Sequence, residues 1–311
     1  MRRVGDQGVA GGVLESRRTA LLQFGVLASS ALLATGVIPV RAAVAAGTAT
    51  PRRIVSVGGA LTEIVFTLQA EAELVGVDTT SAYPALAKKL PSVGYARTLS
   101  AEGVLALTPT QLIATEDAGP QAVLRQLAAA GVPVAVLAAN HNFDGLLDRV
   151  KRVGELTGRV GQAAALQQAL QNDWERTRSA IAQRGAKPVR VLFVFAHAPS
   201  QTMVSGLGTS AHAMLEYVGA TNAIAGFSGY KPLTPEAVIA AQPDVILLTD
   251  QGLLAAGGMD GVLKLPGLAH SPAGRNRRVI ALEAMFLLGF GPRLPAAVSV
   301  LDTAIAKLMR S

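Results

Sequence analysis

The chain has no cysteine among its 311 residues, and aromatic residues make up only 4% of it. The lack of cysteine excludes disulfides, thiolate metal sites, cysteine nucleophiles and a lipid anchor on an N-terminal cysteine. Because half of all residues are apolar but few are aromatic, the core is expected to consist of Ala, Leu and Val. After the first 45 residues, no segment approaches the ~20 consecutive apolar residues that cross a bilayer.

The first 45 residues have the pattern of an export signal. Arg17 and Arg18 precede a mildly apolar run from Ala20 to Val40, and small residues follow up to Ala45. This order predicts a signal peptide over residues 1–45 that is cleaved near Ala45. The paired arginines favour the twin-arginine route, and the general secretory route is the alternative. With no cysteine for a lipid, the sequence predicts a free protein in a bacterial periplasm.

Charge limits the class of partner. Residues 1–45 hold five Arg and two acidic residues, so the remainder carries 23 basic and 19 acidic side chains, a net charge of +4. This small excess without a basic run argues against a nucleic acid and is compatible with an anionic small ligand. The remaining chain of about 260 residues is long enough for two domains.

One sequence unit occurs twice, 134 residues apart, at residues 99–109 and 233–243. Each copy has a helix-capping Ser100 or Thr234, a short helix, a proline that stops it and then a buried strand. Glu102 and Glu236 fall in the first helical turn, where a carboxylate is favoured. The repeat predicts two similar α/β lobes with a cleft between them. Two matched surface acids indicate a partner that contacts both lobes, as in a binding protein rather than an enzyme.

The order of predicted elements supports this division. Short apolar strands alternate with helices over residues 52–142 and again over residues 188–311, which is typical of parallel, Rossmann-like α/β lobes. Apolar residues at helical spacing between them predict a connecting helix over residues 143–186, bent or interrupted near Gly158 and Gly161. A helical connector predicts that the lobes move little relative to each other.

Ligands of open α/β sheets bind at the carboxyl ends of the strands. Near these ends lies Tyr95, two residues before Arg97. A nearby positive charge favours an ionised phenol, and tyrosinate is one of the ligands of haem iron. From the residues alone, a cleft tyrosine beside a structural arginine is the simpler interpretation. Tyr83 fits either a wall or a ligand, and His197 fits either a second axial ligand or a structural polar residue.

Several segments resemble the bacterial periplasmic haem-binding proteins of haem ABC importers. The resemblance covers essentially residues 52–310, with matches at residues 78–84, 229–237 and 287–293. The most specific string is Val93-Gly94-Tyr95-Ala96-Arg97-Thr98-Leu99-Ser100-Ala101-Glu102-Gly103. It implies a class III periplasmic binding protein, with two Rossmann-like lobes joined by a long helix and haem in the cleft. The resemblance further implies that Tyr95 ligates the iron, while Arg97 bonds to the phenolate or to a propionate.

The resemblance also implies partners and supporting residues. Glu102 and Glu236 match the acids that dock, one from each lobe, to arginines of an inner-membrane permease dimer with its ATPase. An outer-membrane haem receptor system would act upstream, and the protein would work as a monomer without catalysis. The remaining candidates for contacts to the haem are Lys231, Arg293 and Gln251.

Two other functions fit some of the same residues. A binding protein for a ferric siderophore or cobalamin would share the fold and the two glutamates, without needing Tyr95 as an iron ligand. A remote alternative is a dinucleotide-dependent oxidoreductase, because residues 206–211 read Gly-Leu-Gly-Thr-Ser-Ala. Such a turn should follow a strand and precede an acid that ends the next strand. The apolar stretch before it is short, and residues 222–224 contain no acid.

Overall fold

The structure is a computed structural model that describes residues 51–185, 188–196 and 202–310. The predicted signal peptide and His197 therefore lie outside the described residues. Within these ranges, none of the helices combines the length and the hydropathy that crossing a bilayer would require.

The first lobe is built on a four-stranded parallel sheet with the strand order β2-β1-β3-β4. Its strands are β1 (Ile54–Val57), β2 (Leu74–Val77), β3 (Gln111–Thr115) and β4 (Val134–Leu137). Its helices are α1 (Gly59–Thr67), α2 (Ala101–Leu105) and α3 (Gln121–Ala129). All four residues of β1 are buried, as expected for a central strand of a covered parallel sheet.

Two helices, and not one, follow the first lobe. They are α4 (Phe143–Thr157) and α5 (Val160–Arg184). The helical segment predicted over residues 143–186 is interrupted at one of the two predicted points, because Gly158 ends α4 in the left-handed conformation at φ 69°. The other predicted point of interruption, Gly161, lies inside α5. With 25 residues, α5 is about 37 Å long.

The second lobe has a six-stranded sheet in which β10, β9, β5, β6 and β8 are neighbours in that order, and β7 also pairs with β5. The strands are β5 (Arg190–Ala196), β6 (Thr202–Ser205), β7 (Thr221–Asn222), β8 (Tyr230–Pro232), β9 (Val245–Thr249) and β10 (Val279–Leu282). Its helices are α6 (Ser210–Tyr217), α7 (Pro235–Ala241), α8 (Asp250–Ala255), α9 (Gly258–Leu263), α10 (Pro272–Arg275), α11 (Ala284–Leu288) and α12 (Leu294–Arg310). Strands β6 and β8 are antiparallel to their neighbours, whereas β7, β9 and β10 pair in parallel.

One apolar core joins the two lobes. A single buried cluster includes Ile54 of β1, Val150 of α4, Phe193 of β5 and Leu301 of α12. Where α4 meets α5 and α6, the ring of Trp174 stacks on Phe143 at 4.8 Å and meets the edge of Tyr217 at 4.6 Å. Together the fold is the mixed α/β, two-lobed architecture that the sequence predicts.

Candidate ligand-binding site

The carboxyl ends of both sheets supply the cleft residues, and a buried aspartate organises the first lobe's share. Asp78, which follows β2 and is 2% exposed, accepts a hydrogen bond from the backbone N–H of Gly58 at 2.9 Å. The same carboxylate accepts from the hydroxyls of Thr80 and Ser81 at 2.6 and 2.8 Å. These bonds fix the loop after β2 against the start of α1.

Tyr95 is attached to the edge of the first sheet through its own backbone. Residue Ser92 bridges to Val77 of β2, and the N–H of Thr79 donates to the carbonyl of Gly94 at 2.9 Å. Gly94 then turns the chain at φ +89°, a conformation that favours glycine. The Tyr95 side chain that follows is 45% exposed, so its phenol is available to a ligand.

Arg97 is held beside Tyr95 by a carboxylate. Its Nε and Nη2 donate to Oδ2 of Asp117 at 3.1 and 2.9 Å, while Oδ1 accepts from the Thr115 hydroxyl at 2.7 Å. Partial burial works to raise the pKa of Asp117, but these hydrogen bonds and the Arg97 charge hold it below its usual value. The bond to Asp117 in turn raises the pKa of Arg97, with smaller contributions from Tyr95 and Tyr230.

Tyr230 is a further candidate for the site that sequence reasoning missed. It begins β8 in the second lobe, and the charge of Arg97 in the first lobe acts to lower its pKa. Burial raises the pKa of Tyr230, and its hydroxyl bonds with the side chains of Ser210 and Thr209 only partly oppose this. The second lobe therefore contributes a neutral, hydrogen-bonded phenol near Arg97.

The missed signal is an extension of the internal repeat. Gly94-Tyr95 precedes the capping Ser100, and Gly229-Tyr230 precedes the capping Thr234 at nearly the same spacing. Both glycines have positive φ, +89° and +81°. Each lobe therefore leads from a glycine turn, through a tyrosine, directly into its glutamate-bearing helix.

Arg293 and Tyr83 are brought together, but not as free ligand-binding groups. The Arg293 backbone N–H and Nε donate to the two oxygens of Glu63 at 3.2 and 2.9 Å, and Nη2 lies 3.4 Å from Glu283. Its guanidinium lies 3.8 Å from the centre of the Tyr83 ring and 5.2 Å from that of Phe286. Arg293 thus joins helix α1 of the first lobe to the end of β10 in the second.

The other predicted contacts are more exposed. Lys231 lies in β8 with Nζ 4.8 Å from the centre of the Phe227 ring. Gln251 is exposed in the first turn of α8, directly after β9. His197 lies outside the described residues, so its position relative to Tyr95 is a prediction from the sequence alone.

Glu102 and Glu236 occupy matching exposed positions. The Ser100 hydroxyl accepts from the N–H of Gly103 at 3.3 Å, and the Thr234 hydroxyl accepts from that of Ala237 at 3.2 Å. Both predicted caps are therefore confirmed, and both carboxylates lie in the first turn of their helices.

The glycine-rich turn at residues 206–211 is accounted for by packing. A side chain at Gly206 would collide with the Phe227 carbonyl, which explains the glycine. Thr209 caps α6, and the Asn222 amide donates to the Ser205 carbonyl at 3.1 Å from the end of β7. An amide therefore lies where a dinucleotide site needs an acid.

Comparison with known proteins defines the class to which this geometry belongs. Residues 54–285 match the profile of the family described as Periplasmic binding protein. The chain belongs to this family of substrate-binding proteins.

The chain is also similar to individual proteins of known structure or curated sequence. The solved structure of the periplasmic heme-binding protein BhuT in complex with two hemes is 44% identical, with a TM-score of 0.80 over 83% of this chain and 99% of that chain. An uncharacterized ABC transporter substrate-binding lipoprotein, YvrC of Bacillus subtilis, is 27% identical over 78% of this chain and 76% of its own. The vitamin B12-binding protein of Pectobacterium carotovorum is also 27% identical, over 60% of this chain and 67% of its own.

Proposed function

We propose that this protein captures ferric haem in the cleft between its lobes and delivers it to an inner-membrane ABC importer. Tyr95 ligates the iron as a phenolate, and Arg97 stabilises that phenolate or a propionate. The observation that carries the proposal is the exposed Tyr95 phenol beside an arginine that Asp117 holds in place. The 44% identity to a heme-binding protein supports haem as the ligand.

The chemistry of the cleft suits ferric haem. A hard anionic oxygen ligand favours ferric over ferrous iron, and a cation near the phenol favours its ionised form. Among the basic side chains, Lys231 is exposed in β8 and Arg97 is largely exposed beside Asp117, whereas Arg293 is mostly buried between Glu63 and Glu283. We therefore assign the propionates to Arg97 and Lys231, with Gln251 as a polar contact from the second lobe. Tyr83 and Tyr230 form walls of the site, and His197 is the candidate for a sixth ligand.

Delivery is proposed to occur without chemistry on the haem. Glu102 and Glu236 dock to arginines of the permease dimer, one from each lobe, and the associated ATPase drives release. Each glutamate is exposed at the start of a capped helix, which supports this role. Residues 1–45 are a cleaved signal, the mature chain works as a monomer in the periplasm, and an outer-membrane receptor system supplies haem.

An absorption titration of the mature protein with haemin tests the ligand, with Tyr95→Phe alongside. We expect saturable binding with a ferric-tyrosinate spectrum in the original protein. Tyr95→Phe should weaken binding at least about tenfold and lose that spectrum, because phenylalanine offers no oxygen to the iron. The matched control is Tyr83→Phe, which removes a hydroxyl from another exposed cleft tyrosine.

The same titration with cobalamin and with a ferric siderophore separates the proposed ligand from its rivals. Haemin binding without either rival supports the proposal. Saturable binding of cobalamin together with no response to haemin would contradict it and favour the function of the vitamin B12-binding relative.

A further inference from the structure

The helices that carry Glu102 and Glu236 are too short to be stable alone. Helix α2 has five residues and α7 has seven, whereas isolated helices need about 12–15 residues to form in water. Their first turns are held by Ser100 and Thr234, but the carbonyls at their other ends also need partners. What holds these ends decides how firmly each glutamate is placed.

In each lobe, an arginine at the start of the first strand bonds to backbone carbonyls at the end of this helix or in the turn directly after it. Arg53 donates from Nε to the Thr108 carbonyl at 2.9 Å and from Nη2 to the Leu107 carbonyl at 2.7 Å. Arg190 donates from Nε to the Ala241 carbonyl at 2.8 Å. Leu107 and Ala241 are equivalent positions of the repeat, 134 residues apart. A cation at the carboxyl end of a helix is also favoured by the helix dipole.

The backbone groups of Arg53 and Arg190 also make corresponding hydrogen bonds in the two lobes. The Arg53 carbonyl accepts from the N–H of Thr110, and the Arg190 carbonyl accepts from that of Asp244, both at 2.8 Å. In return, the Arg53 N–H donates to the Thr110 hydroxyl at 2.8 Å, and the Arg190 N–H donates to the Asp244 carboxylate at 3.0 Å. Thr110 and Asp244 each follow the proline that ends the repeated unit.

We infer that Arg53 and Arg190 are paired positioning residues for docking. Each fixes a glutamate-bearing helix to the first strand of its lobe, so that the spacing of Glu102 and Glu236 follows the spacing of the two sheets. This inference rests on the proposed docking role of those glutamates. Arg53 uses two guanidinium N–H groups on the same turn, whereas Arg190 uses Nε for Ala241 and Nη2 for Ala223 at 3.4 Å. The single ammonium of lysine does not reproduce either pair of contacts.

The test uses Arg53→Lys and Arg190→Lys, singly and together, in the mature haem-loaded protein. Amide hydrogen exchange is measured over residues 101–108 and 235–242, and binding is measured to the cognate permease and ATPase in nanodiscs. We expect exchange to rise at least about threefold in the helix of the substituted lobe alone. Binding to the permease should weaken about fivefold per substitution, with haem affinity unchanged. Arg152→Lys, on the surface of α4, is the matched control.

Two results would overturn the inference. Unchanged exchange in both helices would show that the arginines do not hold them. Faster exchange with full-strength permease binding would show that helix position does not matter for docking. Glu102→Gln and Glu236→Gln run in parallel, because unaltered binding by these variants refutes the docking role itself. If only the glutamate variants weaken binding, docking stands and the positioning role is refuted.

Discussion

The two lobes share one local arrangement of backbone and helix, but the side chains around their tyrosines differ. Each has a glycine of positive φ, then a tyrosine, then a capped helix with an exposed glutamate. In the first lobe, Arg97 and Asp117 accompany Tyr95. In the second, burial raises the pKa of Tyr230, and hydrogen bonds with the side chains of Ser210 and Thr209 only partly oppose this.

This difference shows how the same local arrangement can place a proposed iron ligand, Tyr95, in one lobe and a proposed lining residue, Tyr230, in the other. Tyr95 has a fixed cation two residues away in its own loop, whereas the Tyr230 phenol is hydrogen-bonded to the side chains of Ser210 and Thr209. Binding of ferric iron by oxygen needs the ionised form. Under the proposed function, the scaffold that the lobes share carries the docking glutamates, and the residues that differ around the tyrosines select Tyr95 as the iron ligand.

The largest expected effect tests the glutamates, Glu102 and Glu236, that occupy matching positions in the two lobes. Glu102→Gln and Glu236→Gln should each lower haem uptake about tenfold in cells or proteoliposomes, because under the proposed function each removes a charge that docks to the permease. Haem affinity should not change, since both side chains are exposed at the starts of their helices. Unequal losses would break the comparison, because they would show that one lobe docks without the other.

A smaller effect tests the side chains that differ between the lobes, Asp117 in the first and Lys231 in the second. Asp117→Asn should weaken haem binding about threefold, because it loosens the arginine beside Tyr95. Lys231→Ala, in the second lobe, should reduce haem affinity less than this, because an exposed cation contributes little to binding. Both are measured by haemin titration. A larger loss for Lys231→Ala would contradict the first lobe's leading role.

The junction between the lobes is expected to contribute stability. Arg293→Gln should lower the free energy of unfolding by about 2 kcal/mol, because it leaves the buried Glu63 carboxylate without its partner. The double variant Glu63→Gln/Arg293→Gln should lose less than the single one, which urea unfolding can measure. Equal losses would show that the contact between the two charges is not the source of stability.

The smallest expected effect is a pH dependence at the same junction. Burial and then the charge of Arg149 lower the pKa of His141, whose ring lies 5.5 Å from that of Phe290. The folded state therefore disfavours protonated His141, and its stability is lost as the pH falls through the ordinary histidine pKa of about 6.5. His141→Gln should reduce the fall in Tm between pH 7.5 and pH 5 by ~1–2 °C. An unchanged fall would assign the acid sensitivity to other groups.

The sequence predicts the local features of this protein well. Ser100 and Thr234 cap their helices as predicted, and Glu102 and Glu236 lie in the first turns of those helices. These features depend on neighbours within a few residues, so a single sequence carries them. The repeat and the parallel α/β lobes follow from the same kind of local pattern.

Contacts between distant residues could not be predicted. Nothing near Arg293 in the sequence shows that Glu63, 230 residues away, occupies its guanidinium. The antiparallel β6 and β8 break the alternation of strand and helix, and they bring Tyr230 to the cleft. Such pairings depend on the topology of the whole sheet, which short apolar strands do not specify.

The most direct test of the central claim compares the two tyrosines in one spectrum. Resonance Raman spectra of the haemin complexes should show iron–phenolate vibrations in the original protein and in Tyr230→Phe, and should lose them in Tyr95→Phe. That result would place the iron on the first lobe. Retention of these vibrations in Tyr95→Phe together with their loss in Tyr230→Phe would contradict the account and move the iron ligand to the second lobe.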